Sequence, residues 1–468
     1  MREVDVAIIG AGPAGLFSAY ELISRNSGLK IIVFDKGVRP GERKCPLIQA
    51  QRSSEWKNTD CFKCSVCHVM EGVGGAGFFS SGIINLRPDV GGDLDKLIGS
   101  WSVAEDLIKY IDSILVKFGA PDSVYSISEE QSKRLERLSA RAGAKFIPTP
   151  QRHIGSENTV YVIENLVKYL ENKGVYFSTS NYVEDIVRED NLFKIKSVRG
   201  VFYSKFVILA PGRSGAEWFR DIALKMGIEI EPGPLDIGVR VEIPSYIAEP
   251  ITRIVRDPKF ILYTRVYDDK VRTFCFNPNG FVIQETYSDG TVGVNGESYV
   301  KMRSRNSNFA LLVTVKLTDP LEDTIAYGKK IACLSTKLGG GKPIIQRLGD
   351  LLAGRRSTWD RIARSSIEPT LRNVTPGDIS MALPYRIVAN IIEALERLDT
   401  IIPGLYSQQT LLYTPEIKYY SVKARVNKDL ETNIDNLFVA GDGAGLSRGI
   451  NTAAATGVIA ARGILNKL

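Results

Sequence analysis

Residues 4–10 form an apolar run of strand length, residues 13–25 space their apolar side chains as a helix does, and residues 30–35 form a second apolar run. Strand, helix and strand in so short a stretch predict a compact βαβ unit. Farther along, apolar spacing predicts helices over 94–117, 128–141 and 160–172, with short strands over 175–178 and 206–209. Residues 235–315 are rich in Val, Ile, Tyr, Phe and Thr in runs broken by turn residues, the pattern of a mostly antiparallel sheet. Helical text returns from residue 343, and the chain ends on a strand over 437–440, a glycine-rich turn and a small-residue helix over 451–465.

Between the first strand and helix stands Gly10-Ala11-Gly12-Pro13-Ala14-Gly15. The first Gly permits a tight turn, the second lets a pyrophosphate approach the backbone, and the third lets helix pack on strand. The phosphates of a dinucleotide would rest on the helix N-terminus. Asp35, followed by Lys36, ends the second strand about twenty residues beyond the last Gly, where a carboxylate accepts hydrogen bonds from the adenosine ribose.

The far end of the chain says which dinucleotide. Asn436-Leu-Phe-Val-Ala-Gly441-Asp442, then Gly443-Ala-Gly445 and Ser447-Arg-Gly449-Ile450-Asn451, resembles the C-terminal FAD motif of the glutathione-reductase superfamily. That resemblance implies that Asp442 contacts the ribityl and phosphate region of FAD, and that a helix starting near Gly449 aims its positive end at the flavin pyrimidine edge. Val207-Ile-Leu-Ala210-Pro-Gly212 resembles the middle strand-and-turn motif of the same superfamily. Gly72 to Gly82, which opens with Gly72-Val-Gly-Gly75-Ala-Gly77, is similar to the Gly-rich segment that lies against the flavin in related folds. Neither it nor Gly339-Gly-Gly-Lys-Pro343 reads as a second dinucleotide fingerprint or a P-loop, so no separate nicotinamide domain is expected.

The resemblance sharpens over nearly the whole chain. Pro211 to Trp218, Asp236-Ile-Gly-Val-Arg-Val-Glu242, Arg272-Thr-Phe-Cys-Phe-Asn-Pro278, Gly354 to Thr358, Pro376-Gly-Asp378 and Pro415-Glu-Ile-Lys418 resemble the signature segments of a family of largely uncharacterised FAD-dependent dehydrogenases. The chain departs from that family in carrying Glu297 where His is expected, and Ser81-Gly82-Ile83 where Asp-Gly-Lys is expected. The resemblance implies an α/β protein: a glutathione-reductase-type FAD-binding Rossmann domain, a mostly antiparallel α+β substrate domain and a helical insertion. The expected boundaries are 1–90, 150–230 and 425–468 for the discontinuous FAD domain, 91–149 for the insertion and 231–424 for the substrate or cap domain.

Cys61, Cys64 and Cys67 stand two residues apart from one another, with Cys45 as a fourth thiol. That spacing suits Zn or a 4Fe-4S cluster, a redox-active thiol pair, or inert structure, and the three stay open. Cys275 and Cys333 read as core. Three side chains are candidates to act beside the flavin: Lys418 and Arg240, polar groups within apolar strand text, and His153, placed by two prolines in an expected loop over the active site. His68 is either a cluster ligand or exposed. Arg347, Arg355, Arg356, Arg361, Arg364 and Arg372 form a basic segment that suits an anionic substrate, RNA or a solvated helix face.

The 468 residues carry 60 Lys and Arg against 53 Asp and Glu, a net charge of +7 that alone does not argue for nucleic acid. No apolar stretch is long enough to span a membrane, and the first ten residues read as a strand rather than a leader, so the sequence predicts a cytoplasmic protein. The expected function is an FAD-dependent oxidoreductase exchanging two electrons with a small-molecule substrate. Two alternatives stand beside it: an iron-sulfur electron-transfer flavoprotein with a protein or quinone partner, and a flavin-dependent RNA-modifying protein.

Overall fold

The computed structural model describes residues 3–46, 64–80, 82–233, 235–287, 289–299, 302–315, 323–419 and 422–468. Three parallel strands, Glu3–Ile9, Gly200–Leu209 and Leu437–Val439, lie side by side, with Ile31–Phe34 and Tyr176–Ser178 beyond the first. Their ends are level, because Ile9 pairs with both Phe34 and Leu209, and Leu209 pairs with Val439. Val6, Ala7, Ile8, Val207 and Ile208 are fully buried, as expected of parallel strands covered on both faces. This is the Rossmann-like α/β unit that the sequence predicts, and its helix Pro13–Arg25 starts at the predicted proline.

That helix packs on the C-terminal helix Ile450–Leu465 at a backbone-to-backbone distance that only glycine permits. A Cβ on Gly457 would lie 2.1 Å from the Ala14 carbonyl oxygen. Ser18, fully buried, donates its hydroxyl to the carbonyls of Ala14 and Gly457 at 2.8 and 3.0 Å and ties the two helices together.

The second sheet has eight strands, with Leu411–Tyr419, Leu235–Pro244, Asn306–Val315 and Lys270–Asn277 at its centre. Its central strand alternates. Ile237, Val239, Val241 and Ile243 enter an apolar core shared with the helix Tyr385–Leu398, while Asp236, Gly238, Arg240 and Glu242 occupy the opposite face, equally buried. The hairpin Phe281–Thr286 with Val292–Glu297 lies over that polar face, and its Asn295 accepts a hydrogen bond from Arg240 at 2.8 Å.

Several expectations give way. The predicted 94–117 helix breaks at Gly99 (φ +76°) into Leu94–Ile98 and Trp101–Lys117, because Ser100 caps a new start by accepting the Val103 N–H. The helical text expected from 343 begins instead with the helix Thr324–Leu338, capped by Asp323, and residue 343 leads into the strand Ile344–Arg347. The segment 91–149 does not stand as one insertion. Leu107, Ile111 and Leu115 pack into the core of the parallel sheet, whereas Leu135, Ala142 and Phe146 pack into the core of the second, where Ala144–Phe146 adds a strand beside Phe260–Tyr263.

The loop 68–78 is fastened over the level strand ends by one side chain. Arg43, buried, donates to the carbonyl oxygens of His68, Val69, Val73 and Gly75 at 2.7–3.0 Å and of Gly72 at 3.4 Å, and its guanidinium lies 4.5 Å from the centre of the Phe78 ring. Burial pushes the guanidinium down to about 10, which leaves it charged at neutral pH. Hydrogen bonds from a charged donor contribute about 1.5–3 kcal/mol each, and removing the donor strands its acceptors. Arg43→Met is therefore expected to cost about 3 kcal/mol or more in urea unfolding and to loosen residues 68–78 in hydrogen exchange, with Arg39→Met as the exposed control. Gly457→Ala is expected to lower the urea midpoint by about 1–3 kcal/mol through overpacking against Ala14, whereas Ala460→Gly should show no such clash.

Candidate cofactor and substrate site

The level strand ends bring three turns together: Gly10, Ala210 and Ala440 are linked through Phe34, Ile9 and Leu209 carbonyls at 2.8, 2.8 and 2.9 Å. Gly10 has φ +109°, and a Cβ there would meet the Ala210 carbonyl oxygen at 2.1 Å, so this turn requires glycine. Beyond the turns runs a cleft of about 480 Å³. Gly10, Gly12, Pro13 and Ala14 line it, as do Ala210, Gly212, Gly441 and Asp442. In strand order Asp35, after Ile31–Phe34, is followed by the turns at Gly10, Ala210 and Gly441; Lys36, Gly449 and Ile450 line the cleft as well, and Gly75 forms part of the wall facing Gly12. Gly15 is not among the lining residues and packs against the Gly10 carbonyl, while Asn451 sits behind the wall, donating to the Asn85 carbonyl at 3.1 Å.

The cleft suits an anionic dinucleotide. Two helices begin at it without side-chain caps, at Gly12 and Gly449, so their first N–H groups are available to a ligand. Among the described residues the Trp218 indole N–H, on the wall, has no hydrogen-bond partner, and neither has the buried Oδ1 of Asn451. Asp442 accepts from Arg213 Nε at 3.0 Å and from the Ser447 hydroxyl at 2.5 Å. Arg213, Trp218, Asp221 and Tyr182 line the cleft without having been singled out in the sequence; Arg213 and Trp218 fall inside the quoted Pro211–Trp218 segment, and nothing in the local pattern marks the other two.

Asp35 is more heavily engaged than a ribose ligand alone would require. Its Oδ1 accepts the N–H groups of Gly37 and Gly72 at 2.8 and 3.0 Å, and its Oδ2 accepts that of Ala11 at 3.0 Å. Burial raises its carboxyl above the ordinary range against the opposing pull of those N–H groups and of Arg43. Lys36 pairs with Glu71 at 2.7 Å and so links the strand end to the same loop.

Of the three proposed catalytic groups, Arg240 and Lys418 meet at Glu416 and His153 lies apart from them. Arg240 is fully buried: Nη1 donates to the Cys275 carbonyl at 2.9 Å, and Nη2 donates to Asn295 and to Glu416 at 2.8 Å each. With no exposed surface it orients neighbours rather than substrate, which corrects the expectation of direct substrate contact. Lys418 shares the same Glu416 oxygen at 3.2 Å and keeps 11% of its side chain exposed. His153 lies in the strand Gln151–His153, paired with Ile83, not in a loop over the site. Glu297, where His was expected, accepts the Tyr299 hydroxyl, and burial with the nearby Glu285 charge pushes its carboxyl up.

Among the described residues no three His, Cys, Asp or Glu side chains converge as a metal site, and no disulfide forms. Cys61 lies outside the described residues. Cys45 and Cys67 are half-buried and Cys64 is exposed, while His68 accepts the Lys44 N–H at 2.8 Å on Nδ1. Cys275 is half-buried with φ +49° rather than core, and Cys333 is exposed on its helix. Part of the basic segment is paired within itself. Asp350, buried, accepts Arg355 Nε at 3.0 Å and the Ser357 hydroxyl at 2.8 Å with Arg361 at 3.9 Å, and Arg347 and Arg361 donate to main-chain carbonyls.

Residues 8–43 match the NAD(P)-binding Rossmann-like domain family, residues 234–418 the family described as FAD-dependent protein, C-terminal domain-like, and residues 370–468 glucose inhibited division protein A. An uncharacterized protein of Clostridium beijerinckii is 25% identical over 484 residues, covering 98% of this chain and 80% of that protein. Glycine oxidase from Geobacillus kaustophilus is 12% identical with a TM-score of 0.39, covering 100% of this chain and 95% of its own. L-proline dehydrogenase from P. horikoshii is 13% identical with a TM-score of 0.36, covering 97% and 91%. Residues matching a Rossmann-like cofactor-binding domain and residues matching FAD-dependent proteins thus stand in one chain, which over residues 234–418 is similar to FAD-dependent proteins.

Proposed function

We propose that the chain exchanges two electrons between FAD and a small organic substrate held by the polar face of the second sheet. The observation that carries this reading is the single cleft running from Asp35 to Gly449 past three glycine turns, with an uncapped helix start at two points along it. FAD bound there supplies a two-electron acceptor and donor. Residues 1–90, 150–230 and 425–468 act as its holder, in the manner of glutathione-reductase-type flavoproteins, and 231–424 as the substrate domain.

The chain's own residues divide the work. The start of the helix Pro13–Arg25 binds the pyrophosphate through its N–H groups, and Asp442 takes the ribityl hydroxyls in exchange for its bond to Arg213. The start of the helix Ile450–Leu465 favours negative charge at the flavin pyrimidine edge. The polar face holds its cations in place: Glu416 fixes Arg240 and Lys418, and Asp236 fixes Arg272 at 2.6 Å. The electron-transfer and RNA readings gain no support from the described residues: Cys45, Cys64 and Cys67 form no metal group there, and Arg347, Arg355 and Arg361 are engaged by Asp350 or by main-chain carbonyls.

Purified protein is expected to bind FAD one to one, and Asp442→Ala to weaken binding by about tenfold or more in a fluorescence titration. Protein that shows no flavin absorbance even after addition of FAD would sink the proposal. A single fingerprint also predicts that anaerobic stopped-flow mixing with near-stoichiometric NADH or NADPH leaves the flavin oxidised; rapid bleaching would show a nicotinamide site that shares the flavin pocket.

A further inference from the structure

The helices Pro13–Arg25 and Ile450–Leu465 run side by side in the same direction, with Ala14 against Gly457 near their starts and Glu21 against Arg462 near their ends. Their starts line the cleft, and their ends finish together about 20 Å farther on. Glu21 is fully buried there, with Oε1 accepting Arg25 Nε at 2.6 Å and Arg462 Nε at 2.7 Å, and Oε2 accepting the Tyr110 hydroxyl at 2.6 Å. Against the cost of burial, the bonds from Tyr110 and Arg462 hold its carboxyl below the ordinary range, so it is charged at neutral pH.

The two guanidiniums that share one Glu21 oxygen open onto a cavity of about 310 Å³, which Asp429, Ile459, Leu465 and Asn466 also line. Among the described residues the Nη nitrogens of Arg25 and Arg462 have no hydrogen-bond partner. The Asp429 carboxylate has none either, and it lies beyond ion-pairing distance of both arginines. The charges can be counted. Glu21 answers one guanidinium and leaves one positive charge on its side of the cavity, while Asp429 leaves one negative charge apart from it. Lys467 is taken by Glu431, and Lys428 is not on the wall. The last carbonyls of the two helices add partial negative charge, so the arginine surplus does not exceed one unit.

We propose that this cavity binds a small zwitterion, an α-amino acid with an apolar side chain, with its carboxylate on the Arg25–Arg462 pair and its ammonium at Asp429. A free anion would leave Asp429 unmatched, and a free cation would leave the arginines unmatched. A molecule that carries both charges a few atoms apart answers both. Guanidinium N–H groups in a fixed fork suit a carboxylate, and Ile459 and Leu465 give the side chain an apolar wall. The site lies apart from the cleft and does not depend on what the cleft binds.

A saturation-transfer NMR titration of L-leucine against the full chain tests this, with R25Q, D429N and the exposed control K428Q alongside. The expected result is saturable binding with a dissociation constant of about 1 mM, weakened about fivefold or more in R25Q and in D429N and unchanged in K428Q. In competition, 4-methylpentanoate, which lacks the ammonium, and 3-methylbutylamine, which lacks the carboxylate, should each displace L-leucine at least about fivefold less well than unlabelled L-leucine does. No saturable binding in the wild type, wild-type affinity in either R25Q or D429N, or equal competition by either one-charge analogue would overturn the assignment. Circular dichroism checks that each variant is folded, and D429N, whose carboxylate has no partner to lose, keeps the test decisive where R25Q is destabilised.

Discussion

A buried guanidinium surrounded by carbonyl oxygens, and a buried carboxylate surrounded by N–H groups, together hold the glycine-rich loop against the ends of the parallel strands. Arg43 gathers five carbonyls between His68 and Gly75, and Asp35 gathers the N–H groups of Ala11, Gly37 and Gly72. Each charge is solvated by main chain in place of water, so neither can leave without stranding several polar groups. The width of the cleft between Gly12 and Gly75 depends on this arrangement. So does the wall of the cleft that residues 70–77 form, since Arg43 fastens that loop.

From that cleft a polar network runs into the second sheet. Asp442 holds Arg213, Arg213 faces Glu285, Glu285 accepts Asn295 at 2.5 Å, Asn295 accepts Arg240, and Arg240 shares Glu416 with Lys418. The hairpin carrying Glu285 and Asn295 thus lies between the cleft residue Arg213 and the sheet. A strand with every residue buried tolerates Asp236, Arg240 and Glu242 on one face because each is bonded, and the same bonding fixes which cations remain available to a substrate.

Much of this was legible from residue order. Gly12-Pro13 marks a helix start that the structure places at Pro13, and the alternation in Asp236 to Glu242 marks one apolar and one polar face. What lay beyond reading was the partner of each charge. Arg43 looks like any other basic residue among Arg39 and Lys44, since bonds to main-chain carbonyls leave no side-chain pattern. Arg355 and Arg361 read as an open basic face until the chain turns them onto Asp350. His153 follows two prolines and so reads as loop, yet Ile83 and Arg152 pairings give it a three-residue strand too short to show a period.

The most direct test of the account is a diffraction map of the protein crystallised with FAD. It should show the adenosine beside Asp35 and Lys36, the pyrophosphate at the N–H groups following Gly12, Arg213 released from Asp442, and the isoalloxazine ring ending at Gly449. Density running in the reverse direction, or lying outside the cleft walled by residues 68–78, would contradict it.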